Sequence, residues 1–239
     1  MMLTLDRGNT TLDVMLHGPV PRRERLAPGS SIAAFLGSDR PAVAIGVTVV
    51  PGGLDAAFAE LGGLGVTCGK VGVDLQCPLP IDYETPTTLG ADRWLSALAA
   101  HRQWGRTVVV DCGSATTVNL VEADGTFRGG AIAPGLKALA AGLALITPHL
   151  PGADVALADE MPPRSSATAV HTGVLLAYCG AIERLVADTL AAARGPCMVA
   201  ITGGHALDYL RRGRLHPVHA PDLVHQGLRC LALEAKWSC

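Results

Sequence analysis

Two short stretches of this chain carry the residue types that grip phosphate. Asp6-Arg7-Gly8-Asn9-Thr10-Thr11 and Asp111-Cys112-Gly113-Ser114-Ala115-Thr116 lie 105 positions apart, with Asp, Gly and Thr in register, and each follows an apolar run. A glycine lets the backbone turn sharply and come close to a ligand. Successive N–H groups in such a turn form a concave nest for anionic oxygens. The hydroxyl and amide side chains of Asn9, Thr10 and Ser114 add donors, and a carboxylate at the strand end can hold a hydrated magnesium ion. One Asp-x-Gly alone is ordinary turn chemistry; two in register point to an internal duplication. A third chemical group stands outside both copies. In Gly90-Ala91-Asp92-Arg93 a carboxylate that can accept a proton sits beside a guanidinium that can fork onto an anion.

The elements that must position these residues follow from periodicity and punctuation. Residues 2–5 and 12–16 read as strands on either side of the first turn, with Leu12 and Asp13 opening the second of them. Residues 41–50 form a continuous apolar run that reads as a buried strand, ended by Pro51-Gly52-Gly53. A short helix over 54–61 and a strand over 66–73 follow, then an irregular proline-containing loop over 77–89. A helix starts near Gly90, with Trp94, Leu95, Leu98 and Ala99 on one face. The second copy repeats the pattern: strand 107–111, turn, strand, an Asp124-Gly125 hairpin and a strand over 126–132. Ser165 and Ser166 are natural caps for a long helix over 167–193. Residues 198–202 read as a strand ending at Gly203-Gly204, and 226–237 as a helix. The expected organisation is α/β, with one lobe over 1–105 and a second over 106–239.

Composition excludes several classes. The chain has 239 residues, 49% hydrophobic and 17% charged, with mean hydropathy +0.33, enough to build globular cores rather than a disordered chain. A net charge of −2 gives no basic footprint for nucleic acid, and the run Pro21-Arg22-Arg23-Glu24-Arg25 reads as a solvated loop. There is no apolar stretch of ~18 residues that would span a membrane and no secretory leader pattern. Seven scattered cysteines without a Cys-x-x-Cys pair read as free thiols in a reducing compartment, so the cytoplasm is expected. Cys112 reads as a small buried residue. Gly69-Lys70-Val71 lacks the spacing and hydroxyl of a Walker A loop. His216, His219 and His225 lack metal-ligand spacing.

The ordered set of motifs, completed by Tyr83 with Pro86, by Gly129-Gly130-Ala131-Ile132-Ala133-Pro134-Gly135 and by Thr202-Gly203-Gly204, resembles the type III pantothenate kinases over nearly the whole length. These belong to the actin and sugar-kinase superfamily. The resemblance implies two duplicated RNase H-like lobes, mixed sheets flanked by helices, that clamp ATP between them. It further implies ATP-dependent phosphorylation of pantothenate, the first step towards coenzyme A, in a homodimer. Carried over position by position, Asp6, Arg7, Gly8, Asn9, Thr10, Thr11, Leu12 and Asp13 correspond to the ATP-phosphate segment, with Asp6 also on magnesium. Asp92 corresponds to the general base. Tyr83, Gly90, Ala91, Asp92, Arg93 and Ser166 correspond to the pantothenate contacts. Asp111 corresponds to the ligand of a monovalent cation, K+ or NH4+, and Ser114, Gly203 and Gly204 to nucleotide contacts. The chain departs from the family pattern at Arg7 (usually apolar), Ser114 (commonly Thr), Asn119 (commonly Asp) and Ser165-Ser166 (Asn-Thr). Two other readings stay open: a kinase-like regulatory or accessory protein, and a superfamily kinase for another small hydroxyl acceptor.

Overall fold

In the computed structural model, residues 1–152 and 161–237 are described. They form two compact units: residues 1–103 together with the chain from Asp222 onward, and Trp104–Pro221. The first unit carries a five-stranded sheet in the order β3-β2-β1-β4-β5, made of β1 (Met2–Arg7), β2 (Leu12–His17), β3 (Arg22–Leu26), β4 (Val43–Thr48) and β5 (Thr67–Lys70). Strands β1, β2 and β3 run antiparallel, whereas β4 and β5 continue the sheet in parallel from β1. Around this sheet lie α1 (Ile32–Leu36), α2 (Asp55–Gly63) and α3 (Ala91–Trp104).

The second unit repeats the plan. Its strands are β6 (Thr107–Cys112), β7 (Ala115–Val121), β8 (Phe127–Pro134), β9 (Met198–Thr202) and β10 (Val218–His219), with helices α4 (Leu136–Ile146), α5 (Ser166–Ala192) and α6 (Ala206–Leu210). Again three strands run antiparallel, β8-β7-β6, and two continue in parallel, β9 and β10. The first strand of each triplet, β1 or β6, ends in the Asp-x-Gly turn. The duplicated order is the RNase H-like plan expected for the two copies.

Alternation explains how each sheet is covered. Leu3, Leu5, Leu12, Val14 and Leu16 project to one face of the first sheet and are buried against Ile32, Leu36, Ala57 and Leu61 of α1 and α2. The opposite face, which carries Thr4, Asp6, Asp13 and His17, is covered by a last helix, α7 (Leu223–Glu234), through contacts to β1 and β4. In the second unit, Val108, Val110, Val118 and Leu120 pack against Val174, Tyr178, Ile182 and Val186 of α5. Ser165 caps α5 through a reciprocal pair with Thr168, its hydroxyl accepting the Thr168 N–H at 3.2 Å.

Two expectations are corrected. The run 21–25 is not a solvated loop but enters β3, paired along β2 from Leu12↔Leu26 to Leu16↔Arg22; Arg23 and Arg25 pair with buried Asp13. The lobe expected over 106–239 ends at Pro221, because α7 buries Leu223, Val224, Leu228 and Leu231 in the first unit. A contiguous duplication offers no sign of such a return. The segment around His216 and His219 contains the short parallel strand β10. Among the described residues no cluster of His, Cys, Asp or Glu could by itself hold a metal ion. None of the helices among them is long and apolar enough to cross a membrane.

Candidate active site

The first phosphate-type turn spans residues 8–11 between β1 and β2, with Asn9, Thr10 and Thr11 exposed. Asp6 stands directly across the hairpin from Asp13. Arg7 folds over the turn: its guanidinium donates to the carbonyl of Gly8 and, at 3.4 Å, to that of Thr11. The turn is bordered by the loop after β4, where a Cβ on Gly53 would lie 2.7 Å from Thr48 Oγ1 and 3.0 Å from Arg7 Cγ.

Asp13 has a different setting from its neighbours. Its carboxylate accepts from Arg23 at 2.7 and 2.9 Å, from Arg25 at 3.0 Å and from His225 Nε2 at 3.1 Å. Arg23 also reaches Asp222 at 2.5 Å. Burial opposes ionisation of Asp13, but the hydrogen bonds and charges of Arg23 and His225 outweigh it and hold the carboxyl far below the usual range. The Arg23 guanidinium is correspondingly pushed up, chiefly by its hydrogen bond to Asp13. Nearby His17 is pushed down to about 4 by burial and by the charge of His225. Asp13, within the expected phosphate segment, is therefore committed to an internal ion network.

The Gly90-Ala91-Asp92-Arg93 motif opens α3. Asp92 lies in its first turn, and His101 and Arg102 in its last, each favoured there by the helix dipole. Residues 93 to 100 are all buried, so the helix is held on every side and its first turn has a fixed place. The Asp92 carboxylate accepts the Arg93 N–H at 3.0 Å and folds over Gly90, whose hypothetical Cβ would lie 2.6 Å from Asp92 Oδ1. Gly90 is thus the space into which the carboxylate fits. Burial raises the Asp92 pKa, an effect only partly offset by the Arg93 N–H and the Arg93 charge. Arg93 is only 6% exposed. Its guanidinium lies over the Tyr83 ring at 5.7 Å from the centroid, with Nη1 3.5 Å from the Tyr83 hydroxyl. The fold therefore joins Tyr83 to Arg93 across ten residues of sequence.

In the second unit, two other motifs converge on the Asp111-x-Gly113-Ser114 turn. A Cβ on Gly203 (φ +93°) would lie 2.4 Å from Asp111 Oδ1 and 2.6 Å from the Cys112 backbone. A Cβ on Gly135 would lie 2.4 Å from the Ser114 carbonyl oxygen and 2.5 Å from that of Gly113. The His205 N–H donates to the Cys112 carbonyl at 2.9 Å, seating the Gly203-Gly204 segment on the turn. Cys112 is fully buried, and burial pushes its thiol up to about 12, which makes it a packing residue rather than a nucleophile. Asn119 is also fully buried, and its amide donates to Thr117 Oγ1 at 2.9 Å. Ser166 opens α5 on the rim of an apolar cavity of about 520 Å³ lined by Leu139, Leu143, Val170 and Ala177.

Sequence reasoning missed Arg23, Arg25 and His225, which hold Asp13, and Gly53, which borders the first turn. On β3, Arg23 and Arg25 both project to the face of the sheet that carries Asp13, a pairing that the charged run does not reveal by itself. No local pattern marked His225 as their partner 212 residues from Asp13.

A duplicated RNase H-like plan with a phosphate-type turn at the same strand end in each copy defines the actin and sugar-kinase class of ATPase folds. Solved structures agree. A protein from Campylobacter jejuni assigned to the Baf family of transcriptional activators superposes with a TM-score of 0.63 at 19% identity, over 98% of each chain. The ROK hexokinase from Thermus thermophilus does so with a TM-score of 0.53 at 14% identity, over 98% of this chain and 99% of that one. At the family level, the type III pantothenate kinase profile matches residues 2–188. The chain is 33% identical to the type III pantothenate kinase of Azoarcus sp. (strain BH72), over all of its own length and 94% of that protein. It is 36% identical to the Syntrophotalea carbinolica protein of the same name, over 70% of this chain and 66% of the relative. For the Alcanivorax borkumensis protein of that name the figures are 34%, 63% and 61%. The matches to these last two thus span just under two thirds of the relatives' own length. The chain belongs to the type III pantothenate kinase family.

Proposed function

We propose that this protein transfers the γ-phosphoryl group of ATP to the primary hydroxyl of pantothenate, giving 4′-phosphopantothenate. Family membership supports the reaction class. The observation that carries the assignment of roles is the first turn of α3, where a carboxylate with a raised pKa adjoins a buried guanidinium. In this reading Asp92 accepts the proton of the attacking hydroxyl as the O–P bond forms. Arg93, with Tyr83 stacked beneath it, receives the pantothenate carboxylate, and Gly90 and Ala91 shape the acceptor side. Backbone N–H groups of the turn at 8–11 and the side chains of Asn9, Thr10 and Thr11 bind phosphate oxygens. Ser114, Gly203 and Gly204 border the nucleotide, and Ser166 contributes an acceptor contact.

Magnesium would be held at Asp6 and a monovalent cation at Asp111. The donor set fits such ions, since magnesium in phosphoryl-transfer sites keeps its waters and takes one or two carboxylates plus substrate phosphates. The Asp111 carboxylate packs so closely on Gly203 that a Cβ there would stand 2.4 Å from Oδ1, so glycine is the residue that fits beside it. When bound, such ions neutralise the charge of the phosphates during transfer.

We assign the protein to the cytoplasm and to a homodimer. For the dimer, α4 exposes Leu145 and Ile146 at 78% each, beside the apolar cavity whose rim carries Ser166. A regulatory protein without turnover gains no support from Asn119, whose amide is bound within the β7 ladder region by Thr117. The test is the Asp92→Asn variant. It should bind Mg–ATP and pantothenate as the parent does but lose about 10²-fold or more in kcat, the usual weight of a general base. Full turnover in Asp92→Asn would remove the assigned mechanism.

A further inference from the structure

Helix α7 lies beyond residues 2–188, the segment matched by the family profile, yet it touches both halves of the chemistry in the first unit. On one side His225, buried to 2% exposure, grips both strands of the phosphate hairpin. Its Nδ1 is 2.8 Å from Thr4 Oγ1 on β1, and its Nε2 donates to Asp13 on β2 at 3.1 Å. Thr4 precedes Asp6 by two residues and shares its face of the sheet, while Asp13 is the cross-strand partner of Asp6. The His225 ring thus holds two of the positions that adjoin Asp6 on that face.

On the other side Gly227 brings the backbone of α7 against that of α3. A Cβ there would stand 2.2 Å from the Leu95 carbonyl oxygen and 2.6 Å from its carbon. Leu95 is one helical turn from Asp92. A second tie joins the same two helices further along, where Arg102 of α3 reaches Glu234 of α7 at 2.7 Å.

From these contacts we infer that α7 is a brace that sets the Asp92 turn of α3 against the Asp6 hairpin, with His225 and Gly227 as its positioning residues. The inference rests on the kinase reading for the roles of Asp6 and Asp92. Its physical basis is the demand of phosphoryl transfer, in which catalysis is mostly positioning and a displacement of about 1 Å can cost on the order of 10²-fold in rate. It also gives Asp13 a different task from Asn9 and Thr10. Asp13 is the anchor through which Arg23, Arg25 and His225 fix the hairpin, rather than a nucleotide contact.

The experiment compares the full-length protein with its His225→Leu, His225→Gln and Gly227→Ala variants. Steady-state kinetics and Mg–ATP calorimetry are run well below each variant's Tm, and amide hydrogen exchange is followed by mass spectrometry. The brace predicts that His225→Leu and Gly227→Ala lose about 10-fold or more in kcat. Their KM for pantothenate and Kd for Mg–ATP should stay within about threefold, the split expected when transition-state alignment is lost rather than binding. His225→Gln, which keeps a donor for Asp13, should recover most of the loss. Exchange should rise together in the segments containing 5–12 and 90–96. A folded His225→Leu with parental kcat and parental exchange in both segments overturns the inference. If His225→Leu does not fold, the same outcome in Gly227→Ala decides it. Absence of product from the unmodified protein would instead sink the kinase reading, and the exchange experiment would still judge the brace.

Discussion

At the scale of single residues, the proposed reaction assigns the base to Asp92 and the acceptor contact to Arg93, and their settings predict separable effects. Burial raises the Asp92 carboxyl above its ordinary value of 3.8. A base works only when deprotonated, so kcat should be intact at higher pH and fall as pH drops through this raised value. The acid limb of the pH–rate profile should therefore lie above pH 3.8, measured with substrates saturating so that binding does not contribute. A limb at or below that value would show that Asp92 is not the group titrating. Arg93→Lys keeps the charge and removes the planar fork and its stacking on Tyr83. Its expected effect is a rise of about tenfold in KM for pantothenate, the equivalent of one charge-assisted hydrogen bond at ~1.4 kcal/mol, with a smaller change in kcat. Equal losses in kcat and kcat/KM would place Arg93 in transition-state stabilisation instead.

Between elements, the ion network around Asp13 ties β2 to β3 and α7. Removing one partner of a buried pair leaves uncompensated charge, at a cost of about 3–5 kcal/mol. Arg23 keeps some contact with water, its side chain being 25% exposed, so Asp13→Ala should sit at the lower end, about 3 kcal/mol by urea denaturation. A loss under 1 kcal/mol would mean that the network adds nothing to folding. This network also marks where the sequence stopped being readable. The strands flanking each turn were legible, because strict alternation or an unbroken apolar run has one good interpretation. The start of α3 was legible from Gly90 and the acid after it, and that of α5 from Ser165. Strand β3 was not, since a strand of alternating arginines looks like a solvated loop until the acid it serves is known. Nor was the return of α7 to the first unit, because the complement of its apolar face lies on β1 and β4, some 200 residues earlier. Of the site residues, those within one turn of a motif were recognisable. His225 and Gly227 act through space and leave no local mark.

For the whole molecule, duplication explains why one chain holds two similar turns with unequal surroundings. The turn at Asp6 is open at Asn9–Thr11, whereas the turn at Asp111 is hemmed by Gly135 and Gly203. Such unequal copies suit a protein that must hold phosphate in one place and screen its charge in another. The exposed apolar end of α4 leads to a prediction about assembly. The parent should sediment as a dimer at micromolar concentration, and Leu145→Glu with Ile146→Glu should shift it towards monomer. A parent that sediments as a monomer throughout would contradict the assigned assembly.

The most direct test of the central claim is product formation by the purified protein with ATP, Mg2+ and K+ or NH4+, following pantothenate and a panel of other small primary alcohols by mass spectrometry. The account predicts 4′-phosphopantothenate at a rate that depends on Asp92 and far exceeds that for any other acceptor. ATP binding with no phosphorylation of pantothenate, or preferential phosphorylation of a different alcohol, would contradict it.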